Sequence, residues 1–97
     1  MDNYNITLGI TYYNGGFFNP GAVASLHLGN HGENLNLILP NELILPVIIN
    51  RNINNNGSVR LYAGIAFTNF IQHNYILNDL MSFEILNPNT IRIIQNE

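Results

Sequence analysis

The feature that most limits how this chain can fold is a two-residue alternation of apolar and polar side chains in short segments. Successive side chains of an extended strand point to opposite faces, so such a segment buries one face and exposes the other. Six segments carry this pattern, and a seventh is apolar throughout: residues 6–12, 22–28, 35–39, 43–49, 59–63, 81–85 and 91–94. Seven short strands joined by turns predict an all-β architecture, for which a sandwich and a small barrel are both open.

Glycine, asparagine and proline punctuate the predicted strands. Residues 14–16, Asn-Gly-Gly, end the first strand, and the loop at 29–32 predicts a hairpin between the second and third strands. Pro46 lies inside the fourth predicted strand. Because proline cannot donate to a strand ladder, we expect that strand to form an edge or a bulge.

One segment departs from the strand period. Phe67, Phe70 and Ile71 are spaced as on one face of a helix, so a short helix is predicted over residues 67–73. We expect these three side chains to share one core with Phe83 and Ile85 of the sixth strand. The fold class predicted is therefore all-β with one short helix.

Length and composition narrow the classes further. The 97 residues are enough to bury one core without disulfides and too few for two, so we expect a single domain over residues 1–97. The chain has no cysteine, which excludes disulfide scaffolds, thiol catalysis and thiolate zinc sites. Charged residues are 9% of the chain, against about 25% in an average protein. Nineteen asparagines supply much of the polar surface instead.

The charge balance bears on partners. There are three arginines, no lysine and a formal net charge of −3, so attraction to phosphates or to an anionic membrane is expected to be weak. The longest nearly uninterrupted apolar run, residues 43–49, is too short to span a bilayer, so no membrane association is expected. Residues 1–5 lack the basic and apolar parts of a signal peptide. We therefore expect a location in the nucleus or the cytoplasm.

Catalytic and metal motifs are absent from the sequence. The carboxylates are scattered, and neither a phosphate-binding glycine loop nor a nucleophile elbow occurs. His27 and His31 would share a helix face, but their segment is predicted as strand and turn, so a metal would need a further ligand. We expect a protein that is not an enzyme and that uses no cofactor or metal.

Residues 67–76, Phe-Thr-Asn-Phe-Ile-Gln-His-Asn-Tyr-Ile, are followed by Asn78-Asp79 and then by Phe83-Glu84. This order resembles the hallmark of the plant B3 DNA-binding domain: Gly-Trp-x-x-Phe-Val, Asn-x-Leu, Gly-Asp and a strand containing Phe-Glu. Upstream, residues 26–39 resemble the family's hairpin, so the resemblance covers roughly residues 22–95. It implies a seven-stranded open pseudobarrel with short helices, a fold we call B3-like.

The resemblance also implies a binding site, because the family clasps the DNA major groove with two arms. The first arm falls near residues 13–19, and the second falls on residues 50–60, between the fourth and fifth strands. Arginine can pair with guanine and asparagine with adenine, so the second arm has side chains suited to reading base edges. The candidates are Arg51, Asn52, Asn54, Asn55, Asn56 and Arg60. A polar hairpin turn with no ligand is the other interpretation of this segment.

The function implied is that of a sequence-specific, double-stranded DNA-binding domain of a transcription regulator. With so few cations, we expect it to bind DNA weakly in isolation. The alternative is a non-catalytic β-barrel module that binds a protein partner or a neutral ligand such as a carbohydrate and does not bind DNA. A protein partner is the expectation if DNA binding has been lost.

Overall fold

A computed structural model describes residues 3–94 of the chain. Seven strands and three helices follow one another in chain order: β1 (Asn3–Thr7), α1 (Ile10–Gly15), β2 (Phe17–Phe18), α2 (Ala22–Ser25), β3 (Asn34–Ile38), β4 (Ile44–Asn50), β5 (Arg60–Tyr62), α3 (Ile65–Asn74), β6 (Leu80–Asn87) and β7 (Thr90–Ile94). No helix within these residues is long and apolar enough to cross a membrane.

All seven strands join one sheet, in the order β1-β6-β7-β3-β4-β5-β2. Neighbouring strands run antiparallel except β3 and β7, which are parallel. The Phe18 ring of the edge strand β2 lies 5.6 Å from the Phe83 ring of β6, which is the second strand from the opposite edge. The sheet must therefore curl around its buried face, and the predicted all-β open pseudobarrel is confirmed.

The buried face of the sheet holds one apolar core, which α3 closes. Phe67 and Ile71 of α3 are fully buried, and the Phe67 ring stacks on Phe18 at 5.5 Å. Phe83 is also fully buried, whereas Phe70 and Ile85 are partly buried and pack against the core. The five predicted core residues thus lie together, and the helix predicted over residues 67–73 is present and slightly longer.

The predicted strand over residues 6–12 is correct only in its first part. Residues from Ile10 onward form α1, which packs on α3, and the Tyr13 hydroxyl donates to the Tyr75 carbonyl at 3.0 Å. Gly16 ends this helix with φ +73, and a Cβ there would come within 2.8 Å of the Gly64 carbonyl oxygen. Only glycine allows both that conformation and that approach.

The predicted strand over residues 22–28 is wrong, because residues Ala22–Ser25 form the short helix α2. The N–H of Ser25 donates to the Gly21 carbonyl at 3.0 Å, a helical hydrogen bond that an extended strand cannot make. The hairpin predicted through residues 29–32 is therefore also wrong, and β3 pairs with β4 and β7 instead. The total of seven strands is still correct, because β2, which is too short to predict from periodicity, takes the place of the strand that is absent.

The sequence predicted that Pro46 lies on an edge strand or at a bulge, and this is wrong: β4 runs between β3 and β5, and its register with β3 is regular at Pro46. The N–H of Ile49 donates to the Glu33 carbonyl beside β3, so alternate residues of β4 direct their backbone groups to that side. Pro46 therefore faces the β5 side, where pairing covers only residues 48–50 of β4. The missing N–H of Pro46 costs no ladder hydrogen bond at this position.

Truncation of the core aromatic residues tests this packing. We expect Phe67→Ala to lower the free energy of unfolding by about 3–5 kcal/mol, because the ring is fully buried against Phe18. Phe70→Ala should cost clearly less, since that ring is partly exposed. Urea denaturation of both variants would measure the difference, and a loss below about 1 kcal/mol for Phe67→Ala would contradict the assigned core.

Candidate nucleic-acid interface

Pairing of β2 with β5 brings the two predicted arms together. Phe17 lies opposite Tyr62 and Phe18 opposite Leu61, so residues 13–19 approach residues 50–60 at one end of the sheet. On its other side β5 pairs with β4, which places Arg60 opposite Asn50. The two arms therefore meet where Phe17 and Asn19 of the first contact Arg60, the last residue of the second.

Arg60 is the arginine at the point where the two arms meet. Its Cζ lies 4.1 Å from the centroid of the Phe17 ring, a cation–π contact, and its Nε donates to the Asn19 Oδ1 at 3.5 Å. Within residues 3–94, neither Nη nitrogen of Arg60 has a hydrogen-bond or ion-pair partner. The contact with Phe17 orients the guanidinium while leaving this pair of donors for solvent or a ligand.

Arg51 has a different role. Its Nε donates to the Gly29 carbonyl at 2.9 Å, and its Nη2 donates to the carbonyls of Ser25 at 2.9 Å and Leu28 at 3.0 Å. These carbonyls lie at and just beyond the C-terminal end of α2, where helical carbonyls lack intrahelical donors. Nη2 belongs to both edges through which a guanidinium can make a paired contact. Arg51 therefore has no free bidentate edge for the predicted contact with guanine, and we assign it a structural role.

Two buried serines complete the attachment of the second arm to α2. Ser25 Oγ donates to the Gly21 carbonyl and accepts from the Val59 N–H at 2.9 Å, and Ser58 Oγ accepts from the Gly21 N–H at 3.1 Å. Ser25 and Ser58 are the buried polar residues of the part of the chain described. Together with Arg51 they form what we call the α2 anchor. No periodicity or motif in the sequence identified it.

Asn52 is held by His31. The backbone N–H of Arg51 donates to His31 Nδ1 at 3.0 Å, and the side-chain nitrogen Nδ2 of Asn52 lies 3.2 Å from His31 Nε2. The amide of Asn52 is therefore occupied in orienting the loop against His31.

The remaining asparagines of the second arm differ in how firmly they are held. Asn54 Nδ2 donates to the Ser58 carbonyl at 3.2 Å, and Asn56 Oδ1 accepts from the Ser58 N–H at 3.1 Å. Asn55 is exposed and makes no hydrogen bond within residues 3–94. Of the six predicted site residues, Arg60 and Asn55 are thus the freest to meet a ligand.

Elsewhere, Arg92 is paired with Glu42 at 3.7 Å on the protein surface. Burial, and to a smaller extent the Asp79 carboxylate, raises the pKa of the Tyr75 phenol near the C-terminal end of α3. This residue does not belong to the arms. No cluster of three His, Asp or Glu side chains suited to a metal ion occurs within the described range 3–94.

A separate cleft of about 280 Å³ is lined by side chains other than Asp, Glu, Lys and Arg. They are Tyr4, His27, Ile85, Asn87 and Pro88. It combines apolar surfaces with the polar groups of an imidazole and an amide.

Comparison with known proteins establishes the fold and no family. No protein-family model matches the sequence, and no relative was found among curated proteins. The structure is similar to the N-terminal domain of Helicobacter pylori LlaJI.R1, with a TM-score of 0.69 and 14% identity over 97% of this chain and 81% of that one. At this identity the similarity shows a shared architecture alone.

The α2 anchor predicts an unequal effect of two arginine substitutions on stability. Arg51→Ala should lower the free energy of unfolding by about 2–4 kcal/mol, because three charge-assisted hydrogen bonds to carbonyls are lost. Arg92→Ala removes the same charge but only a surface ion pair, and should cost less than about 1 kcal/mol. Equal losses in urea denaturation would argue against the anchor.

Proposed function

We propose that this chain binds double-stranded DNA, with sequence preference, through the surface where its two arms meet. The observation that carries the proposal is the Arg60 guanidinium, which is oriented by Phe17 and has both Nη groups unpartnered within residues 3–94. A planar fork of this kind matches the O6 and N7 acceptors of guanine in the major groove. The resemblance to the B3 family, which clasps DNA with the corresponding arms, supports the same surface.

Two asparagines are neighbours of Arg60. Asn19 contacts Arg60 directly, and Asn50 lies opposite it across β4 and β5. Asparagine amides hydrogen-bond to base edges without requiring a charged partner. The proposed role is therefore base reading rather than phosphate neutralisation, and a part in transcription regulation would follow from it.

The affinity of the isolated chain should be low. Of three arginines, Arg51 is bound to carbonyls and Arg92 to Glu42, so one cation remains for DNA at the arms. The formal net charge of −3 opposes association with a polyanion. Further domains or partners would have to supply most of the phosphate contacts.

Arg60→Ala and Arg92→Ala change the net charge equally and therefore make a matched pair. At low salt we expect Arg60→Ala to weaken binding to a selected duplex by roughly tenfold, within the range of about 1–3 kcal/mol for a bidentate base contact. Arg92→Ala should leave the affinity nearly unchanged. Fluorescence anisotropy titrations at two salt concentrations would measure both effects.

Two results would contradict the proposal. One is an equal loss of affinity in both variants, which would reduce the role of Arg60 to net charge. The other is the absence of any binding to a randomised duplex pool at high micromolar protein and low salt.

The cleft lined by Tyr4 and Asn87 favours a second candidate function, namely binding of a small uncharged ligand such as a carbohydrate. Its lining includes the Tyr4 ring for stacking and the Asn87 amide for hydrogen bonding, and it holds no Asp, Glu, Lys or Arg. NMR titration with a panel of neutral saccharides should shift the signals of these residues, and the affinity should not change with salt. No shift at millimolar saccharide would exclude this candidate.

A further inference from the structure

An exposed apolar row lies beside Arg60 on the outer face of the sheet. Tyr62 is 60% exposed, and it lies opposite Ile48 of β4 on one side and Phe17 of β2 on the other. Ile48 is 51% exposed. Because alternate residues of a strand share a face, Arg60 projects from the same side as Tyr62, about 7 Å along β5.

Polar neighbours keep this row narrow. Asn34 and Asn36 of β3 are exposed and lie opposite Ile48 and Pro46, respectively. Away from the arms the apolar surface continues along β4 through Pro46 and Ile44, and it widens there to the half-buried Ile38 of β3, which lies opposite Ile44. A stable protein interface usually needs a broad buried patch of about 800 Å² on each partner. The row is better matched to a small apolar group than to a protein surface.

We infer that Tyr62 and Ile48 contact the C5-methyl group of a pyrimidine, thymine or 5-methylcytosine, next to the guanine that Arg60 reads. The inference rests on the proposed function. A C5-methyl is the apolar group that base edges present in the major groove, and apolar side chains read it by contact. Bases of one strand follow each other every 3.4 Å or so, which places the methyl one or two base pairs from the guanine.

Replacement of thymine by uracil tests the contact without altering the protein. Uracil lacks the methyl group and keeps every hydrogen-bonding group of thymine. A duplex selected from a randomised pool by the wild-type chain is remade with uracil at each thymine in turn, and with 5-methylcytosine at each cytosine. We expect one position at which the duplex with the methyl group binds about fourfold more tightly than the duplex without it. The base with the methyl is thymine or 5-methylcytosine, and fourfold is about the factor that burial of one such group provides.

Three variants with the same replacement assign the effect to the row. Ile48→Thr and Tyr62→Thr should bind the methylated and unmethylated duplexes equally, with the affinity of wild type for the unmethylated one. Ile44→Thr is the matched control, since Ile44 is 53% exposed on the same face of β4, and this variant should keep the fourfold preference. Threonine suits strands, and circular dichroism and thermal unfolding would verify that all three variants fold.

Each other outcome has a distinct meaning. If the wild-type chain binds the selected duplex but no methyl substitution changes its affinity, this inference is overturned and the proposed function stands. If the chain binds no duplex, the proposed function fails, and the inference with it. Sedimentation that shows self-association abolished by Ile48→Thr would make the row a protein interface and overturn the inference.

Discussion

The Arg51 guanidinium, bound to the carbonyls that follow α2, is the interaction on which the arrangement of the arms depends. It ties the start of the second arm to residues 25–29, and the serine pair Ser25 and Ser58 ties the end of that arm to Gly21 and α2. The loop over residues 51–59, which has no strand or helix of its own, would otherwise have many conformations. Because both ends of the loop are held, Arg60 begins β5 in a defined register with β4.

Because the chain has three arginines and no lysine, the role of each cation can be assigned from its contacts. Arg51, Arg60 and Arg92 have three different environments. Arg51 is bound to carbonyls and Arg92 is paired with a carboxylate, whereas Arg60 lies on an aromatic ring and its Nη groups have no partner among residues 3–94. Side-chain environment, and not position in the sequence, therefore distinguishes a residue that maintains the fold from one available to a ligand.

The curl of the sheet connects the core to the surface proposed for DNA. Phe18 of β2 reaches Phe83 across the core, while the adjacent Phe17 faces outward under Arg60. Because side chains alternate along a strand, the two-residue strand β2 both places one ring in the core and supports the guanidinium with the other. The surface is thus built on the part of the sheet that is held from both sides, by the core and by the α2 anchor.

Local pattern in the sequence was enough to predict the β class, the strands from β3 to β7 and the helix α3, because each has several residues of one period facing one core. The lack of lysine likewise predicts that electrostatic attraction to nucleic acid is weak, and that stays a prediction. Only the tertiary structure decided that residues 22–25 are helical, that Pro46 lies in an interior strand, and that Arg51 and Arg60 differ in role. Those outcomes depend on partners far away in the sequence. Arg51 depends on the carbonyls after α2 and Arg60 on the Phe17 ring, and Pro46 is tolerated because β5 pairs only with residues 48–50 of β4. A short segment with an ambiguous period carries no information about such partners, so its structure follows from the contacts that the assembled fold supplies.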